Sequence, residues 1–405
     1  MKNLVLIGGG HSHAITLRRL GMQPLAADIR LTLITNVIDT PYSGMLPAYI
    51  GGYYNFQECH INLTNLAKFA QADLVLDEAI NLDLANKQVR CQKHAPIDFD
   101  WLSIDIGSTP AAIANADQQH IIPIKPVPNF LKHWHQFLTE LETSPIPRGQ
   151  PLRIGIIGGG AGGVELSLAV KIRIEAILRS QELPVSMLEI HLFHRQSMLM
   201  TGYPSNVGKK MERILKQQGI YIHLCETVNK VESSQIQQIT NSLLDSKLII
   251  CESGLSLVCD RVFWVTSAIA PNWVRDSGLA TDQKGFILIN DKLQSISNPS
   301  VFATGDIATN VSHPRPKAGV FAVRQGEPLF HNLQRITSQQ PLRSFYPQKR
   351  YLSLIGVGYG TQSNRKKLQA IAVWDWLCIG SSNLLWRWKE YIDRKFMQLF
   401  ERKVP

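Results

Sequence analysis

Short, unbroken apolar runs recur along this chain, and two of them end in three consecutive glycines. Leu4–Ile7 runs into Gly8, Gly9 and Gly10, and "RIGII" (153–157) runs into Gly158, Gly159 and Gly160. Each run reads as a buried strand, and the residues behind each glycine loop read as a helix. A further apolar strand ending in small residues and proline follows each unit at a distance: "WLSIDIGSTPA" (101–111) and "RVFWVTSAIAP" (261–271). Strand, glycine loop, helix and distal strand thus occur twice, which predicts two α/β units of mononucleotide-binding type. Beyond the second unit, "PSVFATGDIAT" (299–309) is a strand that places Gly305 and Asp306 in a turn at its end. The chain is expected to return there to the first unit. The proline-bounded stretch 126–150 predicts a connecting helix, and 232–247 a polar turn region.

The glycine spacing adds chemistry to this pattern. Gly158, Gly160 and Gly163 complete G-x-G-x-x-G. The first glycine permits a tight turn, the second lets the backbone approach a pyrophosphate, and the third lets helix pack on strand. The helix N-terminus then presents free N–H groups and partial positive charge to the phosphates. The opening loop keeps Gly8 and Gly10 but has His13 where the packing glycine belongs. A Cβ there should push the helix slightly off the strand. Such a loop is read as a variant dinucleotide site, with His11 and Ser12 at its helix N-terminus. The imidazoles of His11 and His13 are read as structural, phosphate contact being the alternative.

Length and composition bound the rest. With 405 residues, 44% hydrophobic and 18% charged, the chain has room for two to three ordered domains. Its first strand starts so close to Met1 that no secretory leader is expected. Six cysteines (59, 91, 225, 251, 259 and 378) form no C-x-x-C and no zinc spacing. They read as reduced thiols of a cytoplasmic protein and argue against disulfide reductase chemistry. No metal cluster is apparent. The formal charge of +10 suggests nucleic acid or an anionic membrane. The basic residues are scattered and no nucleic-acid motif occurs, so nucleic acid is not an expected partner.

The end of the chain favours the membrane. Residues 386–403, "WRWKEYIDRKFMQLFERK", carry six Lys or Arg against three acids, and Trp374, Trp376, Trp386 and Trp388 are half of the eight tryptophans. At helical spacing Leu385, Trp388, Ile392, Phe396 and Leu399 form one stripe, with Arg387, Glu390 and Arg394 opposite. Asp375 and Lys389 interrupt the apolar sequence, so a spanning helix is not expected. A basic, Trp-rich amphipathic helix suits the interface, and residues 382–405 are expected to lie on the inner face of an anionic membrane. The other reading of the stripe is packing on the body, or a seam of a homodimer.

Two nested dinucleotide folds followed by "ATGD" resemble the FAD- and NAD(P)-dependent pyridine nucleotide-disulfide oxidoreductases. Within them the chain is similar to type II NAD(P)H:quinone oxidoreductases and sulfide:quinone oxidoreductases. "GGGHSH", "TPYSGMLP" (40–47), "RPKAGVFAVRQGEPLF" (315–330) and "WRWKEYIDRKFMQLF" (386–400) resemble most the flavoprotein unit found fused to selenide, water dikinase. The implied fold is α/β: two nested Rossmann-like domains for FAD and NAD(P), and an amphipathic helical tail. The implied division is an FAD domain in two parts, 1–125 and 275–368, an inserted NAD(P) domain, 126–274, and a tail, 369–405.

The resemblance also implies roles. Gly8, Gly10, His11, Ser12, Asn36 and Pro47 line the FAD site, with Gly305 and Asp306 at the ribityl chain. Gly158, Gly160 and Gly163 hold the nicotinamide dinucleotide, and Glu165 of "GVE" stands near nicotinamide and flavin. Lys317, just before an expected helix 319–329, is the candidate cation for reduced flavin. After the second strand of the first unit the usual ribose-binding acid is missing, and Asn36 is the substitute. In the second unit the corresponding place holds His194 and Arg195, which leans the donor from NADH to NADPH. The type II glutamine motif is reduced to Gln325, with Val320 and Arg324 at its other positions, and the sulfide branch's loop cysteine is absent from "GGGAGGVE". The expected activity is transfer of hydride from NAD(P)H to flavin and of electrons to a quinone at the membrane. Alternatives are a soluble selenium or sulfur acceptor, and a dinucleotide-binding redox sensor with little turnover.

Overall fold

The computed structural model describes residues 1–110, 121–143, 151–233, 246–266, 268–358 and 368–401. Most of the polar stretch 232–247, the end of the connecting segment (144–150) and the last four residues of the tail lie outside these.

The first lobe runs β1 (Lys2–Ile7), α1 (His11–Met22), β2 (Ile29–Thr35), β3 (Asp73–Leu76) and β4 (Trp101–Ile104). The second begins with α2 (Val127–Thr143) and continues through β5 (Leu152–Ile157), α3 (Ala161–Ser180), β6 (Leu188–His194), α4 (Ser205–Gln217), β7 (Tyr221–Leu224) and β8 (Arg261–Trp264). The chain then re-enters the first lobe with β9 (Val301–Ala303) and α5 (Gly319–Thr337). It ends in a meander, β10 (Leu352–Gly358), β11 (Gln369–Trp374) and β12 (Leu377–Ser382), and the helix α6 (Asn383–Glu401).

The two lobes carry the same parallel sheet. The first has the order β9-β4-β1-β2-β3, and the second has Ile122–Pro123, β8, β5, β6 and β7. The distal strands fall where the repeat places them: Leu4 is opposite Trp101 and Ile154 opposite Arg261. Their trailing ends even pair with each other, Thr109 with Ile269. Leu4, Val5 and Leu6 are fully buried, as are Ile154 and Ile156, which explains the unbroken apolar runs. α1 and α5 meet closely because Gly326 faces Ile15, where a Cβ would come within 2.6 Å.

Two boundaries differ from the expected ones. The edge strand Ile122–Pro123 already belongs to the second sheet, ahead of residue 126. The division at 368/369 falls inside the meander, since β10 pairs antiparallel with β11 across it. Such pairing leaves no trace in composition.

The helix α6 forms as expected, and most of the expected stripe faces outward. Trp386, Lys389, Asp393, Phe396 and Met397 are buried, while Trp388, Ile392 and Leu399 of the expected stripe are exposed. Arg394, opposite the stripe on the helical wheel, pairs with Glu58 at 3.0 Å and with Glu390 at 2.9 Å. The inward face carries the ion pair Lys389–Asp393 at 2.6 Å, whose Lys389 also donates to Gly44 O at 2.5 Å. Two charges one helical turn apart neutralise each other and go inward, a choice that hydropathy does not see. None of the described helices is long and apolar enough to cross a membrane.

Candidate active site: two glycine loops and the helix beside them

Both glycine loops stand at the C-terminal ends of the central strands, each opening a helix. In the second, a Cβ on Gly163 would lie 1.8 Å from Gly158 O, so only glycine fits that turn of α3. A Cβ on Gly160 would meet nothing within 4 Å, which leaves the mouth of the helix open to a phosphate.

In the first loop His13 meets the corresponding carbonyl through its ring. Its Nδ1 lies 2.6 Å from Gly8 O. A carbonyl only accepts, so Nδ1 carries the proton, and Nε2 accepts from the Ser103 hydroxyl at 2.8 Å. Where glycine allows contact in one lobe, an imidazole hydrogen bond bridges loop and strand in the other. Burial lowers the His13 pKa to about 4 and keeps the ring neutral. His11 is likewise lowered to about 4 by burial, with Asp306 opposing, and its Nε2 accepts from Ser43 N at 3.3 Å. It packs edge-on against Tyr42, joining the opening loop to the "TPYSGMLP" segment. The Ser12 hydroxyl points away from the loop mouth, to Ala322 O at 2.6 Å.

The remaining expected residues fall into three groups. Gly305, Asp306 and Lys317 gather behind the first loop. Gly305 N donates to Gln325 Oε1 at 2.7 Å, so the glutamine shared with the type II motif pins the turn. Asp306 is ion-paired with Lys125 at 2.6 Å, and Lys125 also reaches Ser108 Oγ at 2.8 Å. Lys317 Nζ is held by Ala308 O at 2.5 Å and Thr309 Oγ1 at 2.9 Å, and burial lowers its pKa to about 8. Lys125 therefore occupies the position beside Asp306, and Lys317 braces the strand behind it. Asn36 is exposed just past β2, and Pro47 is half-buried on the helix Leu46–Ile50. In the second lobe Arg195 is exposed at the end of β6, while the His194 ring folds under the loop and accepts from Gly159 N at 3.1 Å. Glu165, on α3, faces the meander, where it accepts from Gly356 N at 2.9 Å.

Two residues of this region carried no warning in the sequence. Lys125, directly before a proline, drew no expectation. Asp105, directly after β4, is only 2% exposed, and its Oδ2 accepts from His13 N at 3.1 Å.

Residues 2–326 match the family model for pyridine nucleotide-disulphide oxidoreductases. The chain belongs to this family. It is 23% identical over 404 residues to the NADH dehydrogenase-like protein YutJ of Bacillus subtilis (strain 168), covering 96% of this chain and 99% of that one. Among solved structures, the sulfide:quinone oxidoreductase of Aquifex aeolicus superposes with a TM-score of 0.73 at 16% identity, over 100% of this chain and 92% of the other. NDH2 from Plasmodium falciparum, in complex with NADH, superposes with a TM-score of 0.70 at 13% identity, over 100% and 99%. These likenesses show the fold. With the family come its cofactors, FAD and NADH or NADPH, and the chain is an FAD- and NAD(P)-dependent oxidoreductase.

Proposed function

We propose that this flavoprotein takes hydride from NADPH, or less readily NADH, and passes the electrons to a quinone at an anionic membrane surface. In this reading the first loop, Asn36, Pro47 and Asp306 hold FAD, and the second loop with Arg195 holds the nicotinamide dinucleotide. Bound flavin supplies two-electron acceptance from the nicotinamide and release to the acceptor. The chain's residues supply the rest. The N-termini of α1 and α3 receive phosphates. Glu165, beside the meander, orients the nicotinamide end. Lys125 and Lys317 keep positive charge close to Asp306, where reduction adds negative charge.

The observation that carries the acceptor side is the seat of α6. Its Lys389 grips Gly44 O in the "TPYSGMLP" segment that also touches His11 of the first loop. Its outer face, together with the β11–β12 hairpin, exposes Trp374, Trp376, Leu377, Ile379, Leu384, Trp388 and Ile392. One helix thus touches the flavin end on one side and offers aromatic and aliphatic area, flanked by Arg387 and Lys395, on the other. The reading is tested by assaying NADPH oxidation with a quinone dissolved in anionic vesicles. Replacing Trp376 and Trp388 by serine removes two anchors worth about 1.5–3 kcal/mol each when buried. Vesicle binding should then fall more than roughly tenfold while reduction of a water-soluble quinone persists. Unchanged vesicle binding in that variant would remove the membrane from the account.

A further inference from the structure

We propose that Asp105 is a positioning residue of the first glycine loop, and that the flavin pyrophosphate is received there together with one proton. The proposal rests on the assignment of that loop to FAD.

Two segments far apart in sequence, residues 10–13 and the turn at Gly305, converge on this carboxyl group. A Cβ on Gly10 would lie 2.3 Å from Asp105 Oδ1, and one on Gly305 would lie 2.5 Å from the same oxygen. Oδ2 accepts from His13 N at 3.1 Å, and the Ser12 amide is also bound to the group. The Asp105 carbonyl accepts from Gly10 N at 3.1 Å. One residue therefore fixes the phosphate loop, the first turn of α1 and the turn before Asp306. Only glycine at positions 10 and 305 leaves room for it.

The charge balance around it is lopsided. Asp306 adds a second negative charge. Lys125 is committed to Asp306 and Ser108, and Lys317 to Ala308 and Thr309. On α1, burial holds His11 and His13 neutral. Among the described residues no side-chain cation is hydrogen-bonded to Asp105. Burial accordingly raises its pKa to about 7 before any ligand is present. A pyrophosphate brought to the same helix N-terminus adds like charge and pushes the group further up. The buffer supplies the proton, and the carboxylate becomes a carboxylic acid. Its Oδ2 still accepts from His13 N–H, and the new O–H turns a repelling acceptor into a donor.

The sign follows from linkage. Above about pH 7 the flavin-free protein has lost a proton that the flavin-bound protein keeps, so affinity falls as pH rises, by roughly tenfold per unit. The test is calorimetric titration of the flavin-stripped full-length chain with FAD at about pH 6 and 8.5, each in two buffers of different ionisation enthalpy. The expected result is close to one proton taken up per flavin at the higher pH and little at the lower. Asp105→Asn should bind FAD with little uptake and a flat pH profile. Binding by the wild-type chain without proton uptake would overturn the proposal while leaving the flavin site standing, and this readout needs no variant to fold. Uptake that persists in Asp105→Asn but vanishes in His11→Gln would assign the proton to an imidazole and equally overturn it. No flavin binding at either pH would remove the site itself, and the proposal with it.

Discussion

His13 shows how a single side chain can replace a motif glycine. The Gly163 solution is absence of a Cβ; the His13 solution is a ring that hydrogen-bonds the carbonyl a Cβ would crowd. His13→Ala should therefore cost about 1–3 kcal/mol, because Gly8 O and the Ser103 hydroxyl lose a buried partner. Urea denaturation measures this. The buried imidazoles also set a pH slope. His11 and His13 have folded pKa values near 4 against an ordinary 6.5, so unfolding binds protons between those values and stability is lost as pH falls from 6.5 towards 4. Asp105, raised from 3.8 to about 7, works oppositely in that window, since the folded chain holds a proton there that the unfolded chain releases. Asp105→Asn should thus steepen the acid-side decline, which denaturation midpoints at several pH values will reveal. Arg195 makes a separate prediction. Arg195→Ala should raise the KM for NADPH roughly tenfold or more and leave that for NADH nearly unchanged, as expected for loss of a charge-assisted contact to the 2′-phosphate. Equal effects on both donors would assign Arg195 to the solvated surface.

At the level of elements, α6 illustrates the limit of hydropathy. Its existence and amphipathic character were legible, and Trp388, Ile392 and Leu399 of its stripe do face outward. The charged face it buries was not legible, because Lys389 and Asp393 enter the interior as a pair with side chains only 10% and 6% exposed. Lys389→Met leaves Asp393 buried and uncompensated and should destabilise the docked helix by about 3–5 kcal/mol. Adding Asp393→Leu should recover much of that loss in thermal unfolding, a pattern that simple surface charges would not give. The strands tell the converse story. The lobes' central strands and their distal partners were legible because burial on both faces writes continuous apolar runs. The meander was split by the expected boundary because its pairing depends on residues from opposite sides of 368/369.

The molecule as a whole repeats one α/β unit and joins the copies by a short antiparallel pairing of their trailing segments, Thr109 against Ile269. Its glycine loops were legible as tight strand-to-helix turns because such turns demand backbone geometry that few residues supply. Asp105 and Lys125 were not. "SIDIG" looks like a strand running out to water, and only the approach of Gly10 and Gly305 buries its acid. Lys125 acquires meaning only when Asp306, 181 residues away, is brought beside it. In the proposed reading electrons pass from a donor on the second lobe to flavin on the first and leave beside α6. Anaerobic rapid mixing of the purified chain with NADPH, followed by quinone in anionic vesicles, follows that path directly. The account predicts that the visible flavin absorption bleaches with NADPH, more slowly with NADH, and returns on addition of the quinone. Flavin that stays oxidised with both nicotinamides would contradict it.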